Sequence, residues 1–128
     1  MGRVIVLDAS ALLTVILRET GMDVVLPRLP QSVIGAANLA EALARMAQEG
    51  ADPDFYHQQI LRAGVRIDAV TDTHALEAAR LRPLTKHLGL SLGDRLCLGL
   101  ARTLNLPVLT TDRIWLQYDF GIPVEVAR

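Results

Sequence analysis

Four acidic residues occupy positions where carboxylates are costly unless something holds them. Asp8 closes the apolar run "VIVLD" and Asp112 closes "VLTTD". Glu41 lies inside "NLAEALA", and Asp94 is set into "LSLGDRLCLGLA". Each has a plain structural explanation. An Asp after a strand caps the next helix, Glu41 can pair with Arg45 one helical turn on, and Asp94 can form a capping box with Ser91. Four such acids in one place would repel one another and raise their own pKa values. A hard divalent cation reverses that balance, because Mg²⁺ and Mn²⁺ take oxygen ligands and leave positions open for a phosphate. The chemistry this points to is an acidic metal pocket with positions open to a substrate phosphate. Asp8, Asp94 and Asp112 would bind the metal, and Glu41 would orient the attacking water or complete a second metal site.

Other chemistries have less support. The single cysteine, Cys97, excludes an internal disulfide and a cysteine-based zinc site, and reads as a small buried hydrophobe. The histidines, His57, His74 and His87, lack metal-ligand spacing. A phosphatase that uses an aspartyl nucleophile wants a second Asp two residues after the first, where this chain has Ser10. A phosphoacceptor receiver needs a lysine at a strand end, and the only lysine, Lys86, lies in "LTKHLG". The net charge of −1 gives no global attraction to nucleic acid, although twelve of the thirteen basic residues are arginines. Arg95 and Arg113, each next to an acid, either meet phosphates near the metal, as Arg does well, or are ordinary solvated arginines at helix starts. Trp115 reads as core.

These acids need a scaffold, and 128 residues, 51% of them hydrophobic, suffice for a single domain spanning 1–128. No segment approaches a membrane span, and the run after Arg3 lacks a signal peptide's pattern, so a cytoplasmic protein without a membrane partner is expected. Strands are expected at 3–8, 31–35, 65–70, 107–112 and 122–127. Helices are expected at 10–19, 36–50, 52–64, 72–81 (stopped before Pro83) and from Ser91 onward, with a helical turn or two at 113–121. Strands alternating with helices mean an α/β fold: a central, mainly parallel sheet of about five strands with helices on both faces. Ligands of such sheets bind at the carboxyl ends of the strands, where Asp8 and Asp112 fall.

The four blocks, "VLDASALL", "NLAEAL", "SLGDRLCLGLA" and "VLTTDRIW", resemble in order and spacing the PIN domain, and more closely the VapC-type toxins of toxin–antitoxin pairs. The resemblance runs over nearly the whole chain. It implies a PIN-like fold and a Mg²⁺- or Mn²⁺-dependent endoribonuclease with an RNA substrate. It also implies a homodimer restrained by a cognate antitoxin protein. Asp8, Glu41, Asp94 and Asp112 match the family's acidic quartet. Ser10 matches a small hydroxyl residue after the first acid, and Thr111 the Ser or Thr before the last. Both would hydrogen-bond water or the scissile phosphate. No particular residue is required at position 38. The alternative is a catalytically silent PIN-fold module that binds RNA or protein. The apolar helix 92–104, with Gly99 inside it, must be covered on several sides, by a dimer contact or by the core.

Overall fold

The computed structural model describes residues 3–128. Five short strands form one sheet in the order β3-β2-β1-β4-β5, every neighbouring pair parallel. The strands are β1 (Ile5–Leu7), β2 (Ser32–Gly35), β3 (Arg66–Asp68), β4 (Val108–Thr110) and β5 (Val124–Val126). The helices are α1 (Ala9–Ile16), α2 (Met22–Val25), α3 (Ala36–Gln48), α4 (Pro53–Arg62), α5 (Asp72–Thr85) and α6 (Leu92–Leu104).

Alternation along the strands builds two cores. Ile5 and Leu7 of β1, with Ile34 and Leu109, pack against apolar residues of α1, α3 and α4. Val6, Val33 and Val108 face the other way and pack against Leu98, Leu100 and Ala101 of α6, with Leu81, Trp115 and Phe120. Burial on both faces explains why β1 reads as a continuous apolar run rather than an alternating one. The sheet expected from the sequence is present. So are its strands and most helices, with ends shifted by a few residues.

Two segments differ. Between α1 and β2 the chain forms the one-turn helix α2 and then a 3-10 segment, Leu26–Gln31. The short "LPRLP" run, with prolines at 27 and 30, carries no helical periodicity, so neither element was expected. The second difference is α5, which was expected to stop before Pro83 but continues to Thr85. Pro83 lies on an exposed face, and so does Ala79, whose carbonyl loses its partner. Ala79 is itself exposed, and only half a turn of helix remains, so the usual cost of an interior proline is reduced.

The dense packing around α6 is internal to the chain. Cys97, Leu98, Gly99, Leu100 and Ala101 are all buried. A Cβ on Gly99 would lie 2.9 Å from the His74 carbonyl oxygen and 3.2 Å from Glu77 Cβ, both on α5. The glycine therefore lets α5 and α6 approach closely, and α6 by itself no longer argues for a dimer. No helix among the described residues is long and apolar enough to cross a membrane.

Candidate active site

Because every strand is parallel, the strand ends and the starts of the following helices share one edge of the sheet. α6 leads into β4, so its N-terminus lies at this same edge. The chain passes from β1 to β2 on one side and later returns to β4 on the other. A crevice is thus expected at the carboxyl ends of β1 and β4, where the strand order reverses. Asp8 follows β1, and Asp112 follows β4 by two residues. Glu41 lies on the second turn of α3, and Asp94 on the first turn of α6.

Asp8 is the deepest of the four, with 4% of its surface exposed. It caps α1, accepting the Ala11 N–H at 2.8 Å. Two hydroxyls converge on the rest of its carboxylate. Ser10 Oγ lies 2.7 and 2.9 Å from the two oxygens, and Thr110 Oγ1 donates to Oδ2 at 2.6 Å. Each hydroxyl accepts in turn from the backbone beyond β4. Thr111 N–H donates to Ser10 Oγ at 3.1 Å, and Asp112 N–H donates to Thr110 Oγ1 at 3.1 Å. Two short relays therefore tie the end of β1 to the end of β4. Burial still dominates the charge and pushes the Asp8 carboxyl up to about 6. The Thr110, Ala11 and Ser10 hydrogen bonds oppose that rise, and the charge on Asp94 adds to it.

Asp94 forms the expected capping box. Its carboxylate accepts the Ser91 N–H at 2.9 Å, and its own N–H donates to Ser91 Oγ at 3.1 Å. Burial raises its pKa, the Ser91 hydrogen bonds lower it, Asp112 raises it and Arg95 lowers it. Glu41 is also raised, by burial first, against the Asn38 hydrogen bond, and then by Asp94. Asp112 caps the 3-10 segment Arg113–Gln117 by accepting the Ile114 N–H at 3.0 Å. The capping explanations for Asp8, Asp94 and Asp112 thus hold. The expected pair of Glu41 with Arg45 does not form, because Arg45 pairs with Glu49 at 2.9 Å.

Of the two threonines at the end of β4, Thr110 donates its hydroxyl to Asp8, and Thr111 donates its main-chain N–H to Ser10 Oγ. Arg95 donates to the Ala78 carbonyl of α5 at 3.0 Å. Arg113 is exposed and donates to the Arg128 carbonyl at 3.2 Å. Cys97 is fully buried, its thiol held protonated by burial and by the charges of Asp8, Asp94 and Glu41. Trp115 is fully buried core, as expected.

Two neighbours of Glu41 went unanticipated. Asn38, 2% exposed, donates to Glu41 Oε1 at 2.9 Å and to the Gly93 carbonyl at 3.0 Å. Its i, i+3 spacing to Glu41 was the available signal. A Cβ on Gly93 would lie 2.5 Å from both Glu41 oxygens.

The donors available to a cation are carboxylate oxygens, and the burial that raises Asp8, Glu41 and Asp94 in pKa is the cost a hard divalent ion relieves. As the side chains stand, no three His, Cys, Asp or Glu residues among those described are grouped closely enough to form a ready-made cage.

The sequence matches the PIN domain over residues 5–121, and the chain belongs to that family. No protein of curated function matches it. Among solved structures it is similar to a toxin–antitoxin complex from Klebsiella pneumoniae (TM-score 0.75, 16% identity, 97% of this chain and 98% of that one). It is also similar to FitAcB from Neisseria gonorrhoeae (TM-score 0.73, 22% identity, 96% and 97%). A third is VapBC-5, of the VapBC family of toxin–antitoxin systems, from Mycobacterium tuberculosis (TM-score 0.62, 25% identity, 99% of each chain).

Proposed function

We propose that the chain is a VapC-type toxin, a Mg²⁺- or Mn²⁺-dependent endoribonuclease, and that Asp8, Glu41, Asp94 and Asp112 are its catalytic acids. One observation carries this reading: hydrogen bonds through Thr110 tie Asp8 to the Asp112 backbone, and hydrogen bonds through Asn38 tie Glu41 to the Gly93 carbonyl beside Asp94, in a chain of the PIN family.

Asp8, Asp94 and Asp112 would hold the metal, directly or through water, with Glu41 at its side. When bound, the metal supplies Lewis-acid charge on the scissile phosphate and activates water for in-line attack. The chain's own residues do the rest. Ser10 and Thr110 fix the Asp8 carboxylate and keep it from rotating out of the crevice. Glu41, the most exposed of the pocket's raised acids, orients the attacking water. Asp94, held by Ser91, keeps its charge at the start of α6, where the helix dipole favours it. Arg113 stays at the exposed rim and is the arginine placed to meet an incoming phosphate. Arg95 serves instead to fasten α6 to α5.

A protein partner fits the same reading. Leu12, Ile16, Tyr56, Ile60 and Val65 line an apolar groove between α1 and α4. We assign it to a segment of a cognate antitoxin, because the similar structures include toxin–antitoxin complexes. The homodimer now rests on exposed apolar side chains, Leu76 and Leu84 of α5 and Leu92 of α6, each more than half exposed.

The deciding experiment is cleavage of a pool of structured cellular RNAs by the pure protein with Mg²⁺ or Mn²⁺, with EDTA, and with Asp94→Asn. Discrete cuts that need metal and vanish in the variant are expected. A folded protein that binds metal but never cuts would instead be the silent binding module. Failure to bind metal at all would overturn the account of the four acids.

A further inference from the structure

Asn38 spends both hydrogens of a single amide nitrogen, one on each side of the gap between α3 and α6. One goes to Glu41 Oε1 at 2.9 Å and the other to the Gly93 carbonyl at 3.0 Å. Few side chains can do this. Asp has no donor, and Ser or Thr has one, which cannot serve two acceptors so well. The floor of the slot is equally specific. A Cβ at position 93 would stand 2.5 Å from each Glu41 oxygen, so the carboxylate lies directly over the Gly93 backbone, one residue before Asp94. Glu41 is otherwise exposed on α3 and would be free to sample several rotamers.

We propose that Asn38 is a positioning residue: with Gly93 as floor, it holds the Glu41 carboxylate across the α3–α6 gap beside Asp94. The proposal rests on the reading of the acids as a metal site and extends it to a residue that bears no charge. Asn38 acts through Glu41 and makes no contact with metal or RNA. A merely structural Asn38 would join α3 to α6 through Gly93, and its loss would affect the site in the same way whether or not Glu41 were a carboxylate.

The test is a double-mutant cycle read by calorimetric titration of the metal-free chain with Mn²⁺. Asn38→Ala and Gly93→Ala are each made in the natural chain and in Glu41→Gln. Each single change is expected to weaken Mn²⁺ binding by about ten-fold in the natural chain, the scale of an outer partner that orients a ligand. In Glu41→Gln the same change should cost no more than about two-fold, because the group being positioned is gone. Equal losses in both backgrounds, or no loss in either, would overturn the proposal. Gly93→Ala leaves the Asn38 side chain in place, so the cycle survives if Asn38→Ala fails to fold.

If the natural chain binds no Mn²⁺, the metal reading fails, and the positioning claim is then judged by NMR alone. The Glu41 side-chain carboxyl carbon resonance should move in Asn38→Ala and in Gly93→Ala but stay in place in Arg45→Ala. An unmoved resonance in the first two would count against Asn38 as firmly as an additive cycle.

Discussion

Asp8 accepts hydrogen bonds from Ala11, Ser10 and Thr110, yet its carboxyl is still pushed up to about 6 by burial. Its unfolded value is near 3.8, so between the two the native state holds the proton more tightly. The resulting stabilisation is full below about pH 4 and is lost as the pH rises through 6, at a cost of about 3 kcal/mol. Urea unfolding of the metal-free chain should therefore show its stability falling relative to Asp8→Asn between pH 4 and 7. A difference that stayed flat with pH would refute this. Thr110→Val keeps the shape of the side chain but strips a donor from Asp8 and an acceptor from the Asp112 N–H. We expect a loss of about 1–3 kcal/mol in stability and at least about ten-fold in RNA cleavage. Thr111→Val should change neither beyond about 0.5 kcal/mol or two-fold, because its side chain joins no hydrogen bond at the site. The four proposed acids stand out in the sequence because each interrupts or ends an apolar run. Thr110 does not, because "LTTD" offers two adjacent threonines and only the strand end decides which faces Asp8. Asn38 escaped because its second acceptor, on Gly93, lies 55 residues away.

At the scale of the elements, α5 and α6 meet through Gly99. Alanine there would gain about 1 kcal/mol of helix propensity on an isolated helix. Here its methyl would meet the His74 carbonyl at 2.9 Å, a backbone atom that cannot swing aside. Gly99→Ala should therefore destabilise the chain by about 1–3 kcal/mol in denaturant titration. A stabilised variant would mean that α5 yields more easily than its packing indicates. The same contacts show why the sheet was legible in the sequence and some helix ends were not. Strands buried on both faces announce themselves as apolar runs, whichever helix covers them. The end of α5 depends on whether the carbonyl four residues before Pro83 faces water, which is a property of the fold. α2 and the 3-10 segment after it are too short to show a period, and the prolines there read as loop.

For the whole molecule, metal and structure should be linked. Saturating Mn²⁺, at about a hundred times its dissociation constant, is expected to add about 2.7 kcal/mol to the stability of the natural chain. Asp94→Asn should keep the metal-free stability to within about 1 kcal/mol, since the Asn oxygen can still accept from Ser91, and lose most of the Mn²⁺ effect. Thermal unfolding with and without Mn²⁺ measures both, and equal shifts in the two proteins would sink the assignment of Asp94.

The strand order has one more consequence, for the chain as it leaves the ribosome. β1 is made first, but it reaches the site only when β4, a hundred residues later, has docked beside it. A product that stops after α6 carries Asp8, Glu41 and Asp94, yet it has no Thr110 to fasten the first acid and no Asp112. Its β1 is left with a bare edge where β4 should pair. On the function proposed above, a cell translating this message would be spared cutting by unfinished copies, and activity would arrive only with the last fifth of the polypeptide.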